Sequence, residues 1–242
     1  MDKYLAETTI LDYRHPLLVK LVEERQWKNL PEYDRIGAVY DFVQNEIAFG
    51  YNVTDDILAS RVLQDGYGQC NTKGSLLMAL LRAVGISCRF HGFTIDKQLQ
   101  KGVITGLAYA LAPNNISHSW VDVSYKGEWV NLEGFILDKT YLERLQRKFS
   151  KVEGAFCGYG VGISDFKNPP IEWKGSDTYI QKDGINQDYG VFDSPDDFYK
   201  KHGANLTGIR QYVYQFIVRK WMNANVAGIR KDASHNISSQ DK

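Results

Sequence analysis

The sequence predicts an α+β fold, in which helices and an antiparallel sheet come from separate stretches of the chain. Two observations favour this class. An apolar pattern at helical spacing precedes a run of strand patterns, and two of those strands are separated only by the dipeptide at 126–127, the spacing of a hairpin. Parallel strands need long crossover connections, and few segments here have that arrangement. We therefore expect antiparallel pairing with a helix packed against the sheet.

The bulk composition is that of an ordinary globular protein. Hydrophobic residues make up 43% of the 242 residues and charged residues 24%. Lys plus Arg and Asp plus Glu both number 29, so no net charge attracts nucleic acid or an anionic membrane. The chain shows no charged start followed by an apolar run, the mark of a signal peptide, and no apolar run of about 18 residues that would span a bilayer. We expect a cytoplasmic protein with neither nucleic acid nor membrane as a partner.

The first half of the chain gives four elements in order. Residues 34–49 have apolar residues at helical spacing, and a second apolar stripe begins at Cys70 and ends at Gly85. Residues 86–94 read as a strand. Residues 95–116 are less regular and rich in glycine, so they are expected to form a long loop or lid.

The second half continues with the hairpin and less regular segments. Strands are expected at 117–125 and 128–136, followed by a short helix at 139–149. The segment 154–193 is rich in aromatic residues and glycine and has little periodicity. A serine, a proline and two aspartates at 194–197 then mark a helix start.

Residues 206–229 read as one long helix that closes the fold. Its apolar stripe consists of Ile209, Val213, Phe216, Ile217 and Met222. The basic residues over 206–231, which could dock an acidic partner, are Arg210, Arg219, Lys220, Arg230 and Lys231. A solvated basic edge on a closing helix is the more common role of such charges.

The chain is expected to divide into a core with extensions on either side. The predicted parts are an N-terminal extension at 1–33, a core at 34–138, a C-terminal extension packed on the core at 139–231, and a disordered tail at 232–242.

Cys70 has the local setting of a thiol nucleophile. It opens an apolar helix, where free backbone N–H groups and the positive end of the helix dipole favour a thiolate. Gly66 and Gly68 just before it allow a tight turn and a close approach of backbone to a substrate. A buried cysteine is more often a small apolar filler, so this setting needs partners before it indicates catalysis.

The predicted hairpin supplies partners for Cys70 if its register is the one that a two-residue turn sets. With a two-residue turn at 126–127, Trp120 faces Glu133, and His118 lies on the same face one diagonal step away, about 7 to 8 Å at Cα. His118 and Glu133 can then hydrogen-bond across the sheet. The residues that this register leaves for the core on the other face are Val121, Val123, Val130 and Leu132. Taken singly, His118 could be a strand histidine and Glu133 a solvated strand end.

The other two cysteines have no such partners. Cys88 lies within a strand, and its nearest histidine, His91, is three residues on and so on the opposite face. Cys157 has aromatic and glycine neighbours. Three cysteines are also too few, and odd in number, for a disulfide framework.

With these residues in place, the sequence resembles the transglutaminase-like superfamily, a papain-related thiol fold with the chain order Cys, His, Asp. The resemblance rests on four stretches in the right order, at 62–73, 80–89, 118–123 and 129–133, and it covers roughly 34–138. It implies that Cys70 is the nucleophile and His118 the general base and acid. Glu133 stands at the usual aspartate position, which is a departure from the family pattern.

The resulting hypothesis is acyl transfer on amide bonds through a Cys70 thioester, with hydrolysis favoured over transamidation. The expected substrate is a peptide, a protein or a small amide, with no cofactor and no metal ligand cluster. Gln69 and Trp120 are the candidates for binding the substrate or the oxyanion. The side chains considered as a second oxyanion donor are Gln69, Asn45 and Tyr51.

Two alternatives stay open from the sequence. One is a catalytically inactive interaction module on the same fold, since some superfamily members have lost catalysis. The other is acyl transfer like that of the arylamine N-acetyltransferases, although the Arg-Gly-Gly expected before their cysteine is absent here.

Overall fold

The computed structural model describes residues 2–203 and 208–231. The strands are β1 (Ala48–Phe49), β2 (Tyr67–Gly68), β3 (Cys88–Asp96), β4 (Asn115–Tyr125), β5 (Glu128–Leu132), β6 (Phe156–Gly158), β7 (Val161–Ile163) and β8 (Ile185–Phe192). The helices are α1 (Pro16–Glu24), α2 (Glu32–Asn45), α3 (Ala59–Asp65), α4 (Cys70–Ala83), α5 (Gly106–Leu111), α6 (Lys139–Lys148), α7 (Pro195–His202), α8 (Gly208–Val213) and α9 (Arg219–Lys231). The fold class is α+β, as predicted.

An antiparallel sheet with the strand order β5-β4-β3-β8 forms the centre of the fold. Helix α4 lies against β3 and β4 on one side and against α1, α2 and α3 on the other. Because it is enclosed by both layers, nearly all of its residues are buried, including its four central leucines. The helix that begins with Cys70 is thus the core element around which the other layers pack.

Two elements predicted in the first half of the chain have different bounds in the structure. The helix predicted at 34–49 is α2, which ends at Asn45, and Ala48–Phe49 instead pairs in parallel with β2. The prediction of a loop or lid at 95–116 is wrong in part. β3 continues to Asp96, which pairs with Asn115, and the residues between them contain a 3-10 turn and α5. Pairing across the sheet extends these strands beyond the residues that favour strand by propensity.

The segment 154–193, in which the sequence shows little periodicity, contains three strands. β6 and β7 form a small hairpin, and β8 pairs with β3 at the edge of the main sheet. Each β8 residue is either exposed or only partly buried, and the consecutive polar residues at 186–188 interrupt its apolar positions, so β8 gives no strand-like alternation. The C-terminal extension therefore completes the sheet that begins in the core.

The single helix predicted at 206–229 is interrupted. A π-helical turn at Tyr214–Val218 separates α8 from α9, and the predicted start at 206–207 lies outside the described residues, as does the predicted disordered tail at 232–242. The packed face also differs: Val213, Phe216 and Ile217 are exposed, whereas the inward residues are Tyr214, Val218, Met222, Val226 and Ile229.

Polar anchors explain which face of α8–α9 packs inward. Asn223 accepts a hydrogen bond from Tyr51 N–H (2.8 Å) and donates to Tyr51 C=O (3.0 Å). Arg230 forms an ion pair with Asp138. These contacts orient the helix more specifically than its apolar residues do, because apolar contact is non-directional. Over residues 2–203 and 208–231, no helix has the length and apolar character needed to cross a bilayer.

Candidate active site

Cys70 is placed by the short parallel pairing that precedes it. β1 and β2 align Ala48 with Tyr67 and Phe49 with Gly68, and α4 begins two residues after β2. Gly66 ends α3 with φ +69°, a backbone conformation that favours glycine. Cys70 is the first residue of α4 and is 9% exposed, so its thiol lies at the helix N-terminus close to the surface.

Hydrogen bonds fix the residue before Cys70. Asn52 N–H donates to Gln69 Oε1 (2.9 Å), and Gln69 Nε2 donates to Asp55 Oδ1 (2.9 Å). Gln69 N–H donates to Thr72 Oγ1 (3.1 Å) and so closes the first turn of α4. Gln69, a sequence candidate for binding the oxyanion, is thereby engaged at both ends of its side chain in holding the turn.

His118 and Glu133 meet across the hairpin as its predicted register requires. Tyr125 pairs with Glu128 and Val121 with Leu132, which confirms the two-residue turn at 126–127. His118 Nε2 lies 2.7 Å from Glu133 Oε1, and both side chains are fully buried. Because Nε2 donates to the carboxylate, Nδ1 is the nitrogen left to act toward the thiol, and it has no hydrogen-bond partner among the described residues.

The C-terminal extension holds the other carboxylate oxygen of Glu133. Ile180 N–H (2.8 Å) and Gln181 N–H (2.9 Å) both donate to Glu133 Oε2. The backbone of Glu133 is held as well, since its N–H donates to Thr178 Oγ1 (3.1 Å). Sequence reasoning missed these contacts, because backbone N–H groups carry no residue-type signal.

Neighbouring charges alter the titration of His118. Burial disfavours the imidazolium, but the negative charges of Cys70 and Glu133 outweigh it and raise the pKa of His118 to about 9. The structure thus brings the three predicted residues together as an interacting set: a thiol on the first residue of α4, an imidazole and an orienting carboxylate. That is the arrangement a thiol nucleophile needs.

The chain is similar to known proteins over the part that carries this site. Residues 20–134 match the sequence profile of the transglutaminase-like superfamily. This segment belongs to that superfamily. The chain is 30% identical over 143 residues to YebA, an uncharacterised protein of Bacillus subtilis strain 168, an alignment that covers 54% of this chain and 19% of YebA. The chain therefore spans about a fifth of that relative's length.

A solved structure is also similar. It is described as a proposed cysteine protease from Cytophaga hutchinsonii, with a TM-score of 0.48 and 14% sequence identity, over 85% of this chain and 50% of that chain. At the level of the superfamily, the profile match over residues 20–134 and the Cys70–His118–Glu133 set support a thiol-dependent enzyme.

Three tyrosines interact with the cysteine of this transglutaminase-like core: Tyr51 and Tyr199 are buried, and Tyr214 is partly buried. Burial is the main cause that raises the pKa of Tyr51, Tyr199 and Tyr214, and the charge of Cys70 contributes to each shift. Tyr51 Oη donates to the Gln100 side chain, and Tyr214 Oη donates to a backbone carbonyl (3.3 Å). The hydroxyl of Tyr199, on α7, is buried and has no partner within the described part of the chain.

Trp120 lies on the His118 face of the sheet but is held in packing. Its Nε1 donates to Asp122 Oδ1 (2.8 Å), and its ring contacts Phe93 (centroids 4.2 Å apart) and Tyr179 (5.7 Å). Phe93 in turn lies 6.2 Å from the His118 ring. Trp120 therefore supports the aromatic cluster behind His118, and its predicted contact with substrate remains a prediction.

The remaining cysteines lack the surroundings of Cys70. Cys88 is fully buried, and burial raises the pKa of its thiol to about 11. Cys157 is exposed and its pKa is also raised by partial burial of the thiol. In the described ranges, 2–203 and 208–231, no cluster of three or more His, Cys, Asp or Glu side chains is placed to hold a metal ion.

Proposed function

We propose that the protein is a cysteine hydrolase that cleaves amide bonds of a peptide, protein or small-molecule substrate through a Cys70 thioester. The observation that carries this proposal is the His118–Glu133 hydrogen bond of 2.7 Å, which leaves the opposite ring nitrogen to act toward the thiol on the first residue of α4. This set can form a nucleophile, a proton carrier and a fixed imidazole orientation.

The reaction has two halves. In the first, His118 Nδ1 accepts the Cys70 proton, sulfur bonds to the substrate carbonyl carbon, and the amine leaves with a proton returned by Nδ1. In the second, Nδ1 takes a proton from water, the oxygen bonds to the thioester carbon, and the carboxylic acid leaves as Cys70 is regenerated with that proton. Glu133 keeps Nε2 protonated and stabilises the imidazolium in both halves.

The oxyanion needs hydrogen-bond donors in this geometry. The Cys70 N–H belongs to the first turn of α4, where helical N–H groups have no partner within the helix. The second donor in the proposal is the Tyr199 hydroxyl, since the hydroxyls of Tyr51 and Tyr214 already donate elsewhere. Burial, with the charges of Asp55 and Cys70, raises the pKa of Tyr199, so its hydroxyl stays protonated and able to donate.

Hydrolysis is proposed over transamidation because water is present in any accessible cleft, whereas amine transfer needs a second site that favours an amine over water. Whether water or an amine accepts the acyl group can be tested directly. Chromogenic amides and esters are incubated with and without a primary amine, and the acyl group on Cys70 is trapped and located by peptide mass.

Under the proposal, wild type forms a Cys70 adduct and releases the free acid, and His118→Ala forms the adduct at least about 10²-fold more slowly. A product that carries the added amine even at low amine concentration would indicate transamidation. Release of free CoA from acetyl-CoA would indicate arylamine-type transfer. No adduct with any acyl donor, together with an unreactive thiol, would leave the interaction module as the better account.

A further inference from the structure

The side chain that follows Cys70 connects it to the strand carrying His118. Asn71 is fully buried, and its amide makes two hydrogen bonds to β4. Asn71 Nδ2 donates to Ser117 C=O (3.2 Å), and Ser119 Oγ donates to Asn71 Oδ1 (2.9 Å). Ser117 and Ser119 are the residues on either side of His118, so one amide contacts both neighbours of the base.

We propose that Asn71 is a positioning residue that sets the spacing between Cys70 and His118. The proposal rests on the cysteine hydrolase function above and assigns to this amide the placement of α4 relative to the strand that carries His118. Glu133 orients the imidazole from the far side of the ring, but that hydrogen bond leaves the position of α4 unspecified. The Asn71 amide specifies it.

Apolar packing alone cannot fix this spacing. Where Gly74 brings α4 close to β4, the helix faces Ser119 and Val121. Such contacts resist separation of helix and sheet but are non-directional, and they tolerate small sliding movements. Two hydrogen bonds from one amide are directional and hold both helix position and helix rotation. A misplacement of about 1 Å between reacting groups lowers a rate by about 10²-fold.

The chain offers a matched control in the same helix. Ser75 is fully buried, like Asn71, and its Oγ donates to the Asn71 C=O (3.1 Å), a bond that stays within α4. Ser75→Ala therefore removes a buried hydrogen bond from α4 without touching β4. Ser119→Ala removes only one of the two bonds to Asn71.

The test measures two properties of the folded protein, the alkylation rate of Cys70 by iodoacetamide at pH 6 and the titration midpoint of His118 by NMR. In Asn71→Ala, alkylation is expected to fall by about 10- to 100-fold, and the His118 midpoint to move down toward its ordinary value because the thiolate has moved away. The Nε2–H signal that reports the bond to Glu133 is expected to persist. In Ser119→Ala, the alkylation rate and the His118 midpoint should change less. In Ser75→Ala, both should keep their wild-type values even if the protein unfolds at a lower urea concentration.

The proposal is overturned if Asn71→Ala and Ser119→Ala lose stability but keep the wild-type alkylation rate and His118 midpoint, since Asn71 would then only join helix to sheet. Should Asn71→Ala fail to fold, the milder Ser119→Ala decides between these outcomes. If wild-type Cys70 is no more reactive than a free thiol, the hydrolase function fails. The His118 midpoint still decides the positioning role in that case, because it depends on the distance to Cys70 and not on turnover.

Discussion

Glu133 occupies the position of the superfamily's aspartate, and the structure gives its extra methylene a use. One carboxylate oxygen reaches His118 across the hairpin, while the other accepts two backbone N–H groups from Ile180 and Gln181. His118 and the two N–H donors lie on different chain segments, so one carboxylate group has to reach both. Sequence comparison treats the longer residue as a departure, but in this fold the longer side chain fits the partners it has.

Shortening that side chain tests this account. In Glu133→Asp, the family's usual residue cannot reach both partners at once, and we expect kcat to fall by about tenfold or more. In Glu133→Gln, an amide N–H group must face either the His118 Nε2–H or the two backbone N–H groups, and we expect a fall of about 10²-fold or more. Both are measured as acylation rates with an activated ester. Full activity in Glu133→Asp would show that the 180–181 contacts are dispensable.

The titration of His118 gives a second test at the same scale. Burial lowers the pKa of His118, and the charges of Cys70 and Glu133 raise it further than burial lowers it, to about 9. The unfolded chain has its histidine near 6.5. The stabilisation that protonated His118 gains from Cys70 and Glu133 in the folded protein is therefore complete below about pH 6.5 and is lost as pH rises through about 9. NMR should place the midpoint well above 6.5 in wild type and lower in Cys70→Ser; an unchanged midpoint in Cys70→Ser would show that the thiol is not coupled to the ring.

At the scale of the element, the N-terminal turn of α4 depends on a glycine with no room for a side chain. A Cβ at Gly68 would lie 2.6 Å from Thr72 Oγ1 and 2.9 Å from Lys73 Cγ. Lys73 cannot move away easily, since it is fully buried and its Nζ donates to Gln44 C=O (3.2 Å) and Ile136 C=O (3.0 Å). Burial lowers the pKa of this lysine to about 7. The turn, α2 and the loop after β5 are thus held in one arrangement around Cys70.

Gly68→Ala is expected to lower the free energy of unfolding by about 1 to 3 kcal/mol and to slow Cys70 alkylation, because the turn that carries the thiol must shift. Gly228→Ala is the control, since nothing lies within 4 Å of a Cβ there and the residue is inside α9. The free energy of unfolding of Gly228→Ala should rise by about 0.5 to 1 kcal/mol. Urea unfolding and alkylation of both variants check this. Equal effects of the two substitutions would mean that the turn yields without strain.

At the scale of the whole molecule, the segment after the core is part of the site. It supplies β8 to the sheet, two N–H donors to Glu133, and the helix that packs on the residues before Cys70. Arg230 joins this helix to Asp138, which also accepts hydrogen bonds from Phe49 N–H (2.8 Å) and Tyr141 N–H (2.8 Å). One carboxylate therefore ties the C-terminal helix to both β1 and α6.

Removing Arg230 should loosen that connection. Burial opposes ionisation of Asp138, but Arg230 and the two N–H donors hold its pKa below the usual range. A depressed carboxylate pKa gives stability that is present above the unfolded value of about 3.9 and is lost as pH falls through the folded value. We expect Arg230→Ala to lower the free energy of unfolding by about 2 to 3 kcal/mol at pH 7, with a smaller difference from wild type below about pH 4. A difference that is the same at pH 7 and pH 3.5 would show that Arg230 acts through packing and its hydrogen bond to Phe49 C=O (3.0 Å) and not through the charge of Asp138.

The part of this architecture that the sequence predicted is local and periodic. The apolar stripe of α4, the Gly66–Cys70 turn and the alternation around the hairpin were enough to place His118 against Glu133, because a one-residue slip would have put them on opposite faces. The missed features depend on tertiary contact. The N–H donors at 180–181 have no residue-type signal, and β8, which lacks apolar alternation, is a strand because it pairs with β3. In α9 the apolar residues Met222, Val226 and Ile229 pack inward, whereas Phe216 and Ile217 of the predicted stripe are exposed.

The central claim, a thiolate at Cys70 maintained by His118, is tested most directly by the pH dependence of iodoacetamide labelling at Cys70, read by peptide mass in wild type and in His118→Ala. Free cysteine, with its reference value of about 8.5, is the standard for an isolated thiol. The account predicts that wild-type Cys70 remains reactive at pH values where free cysteine is not, and that His118→Ala loses this advantage. If Cys70 follows the free-thiol curve in both proteins, the catalytic account is contradicted.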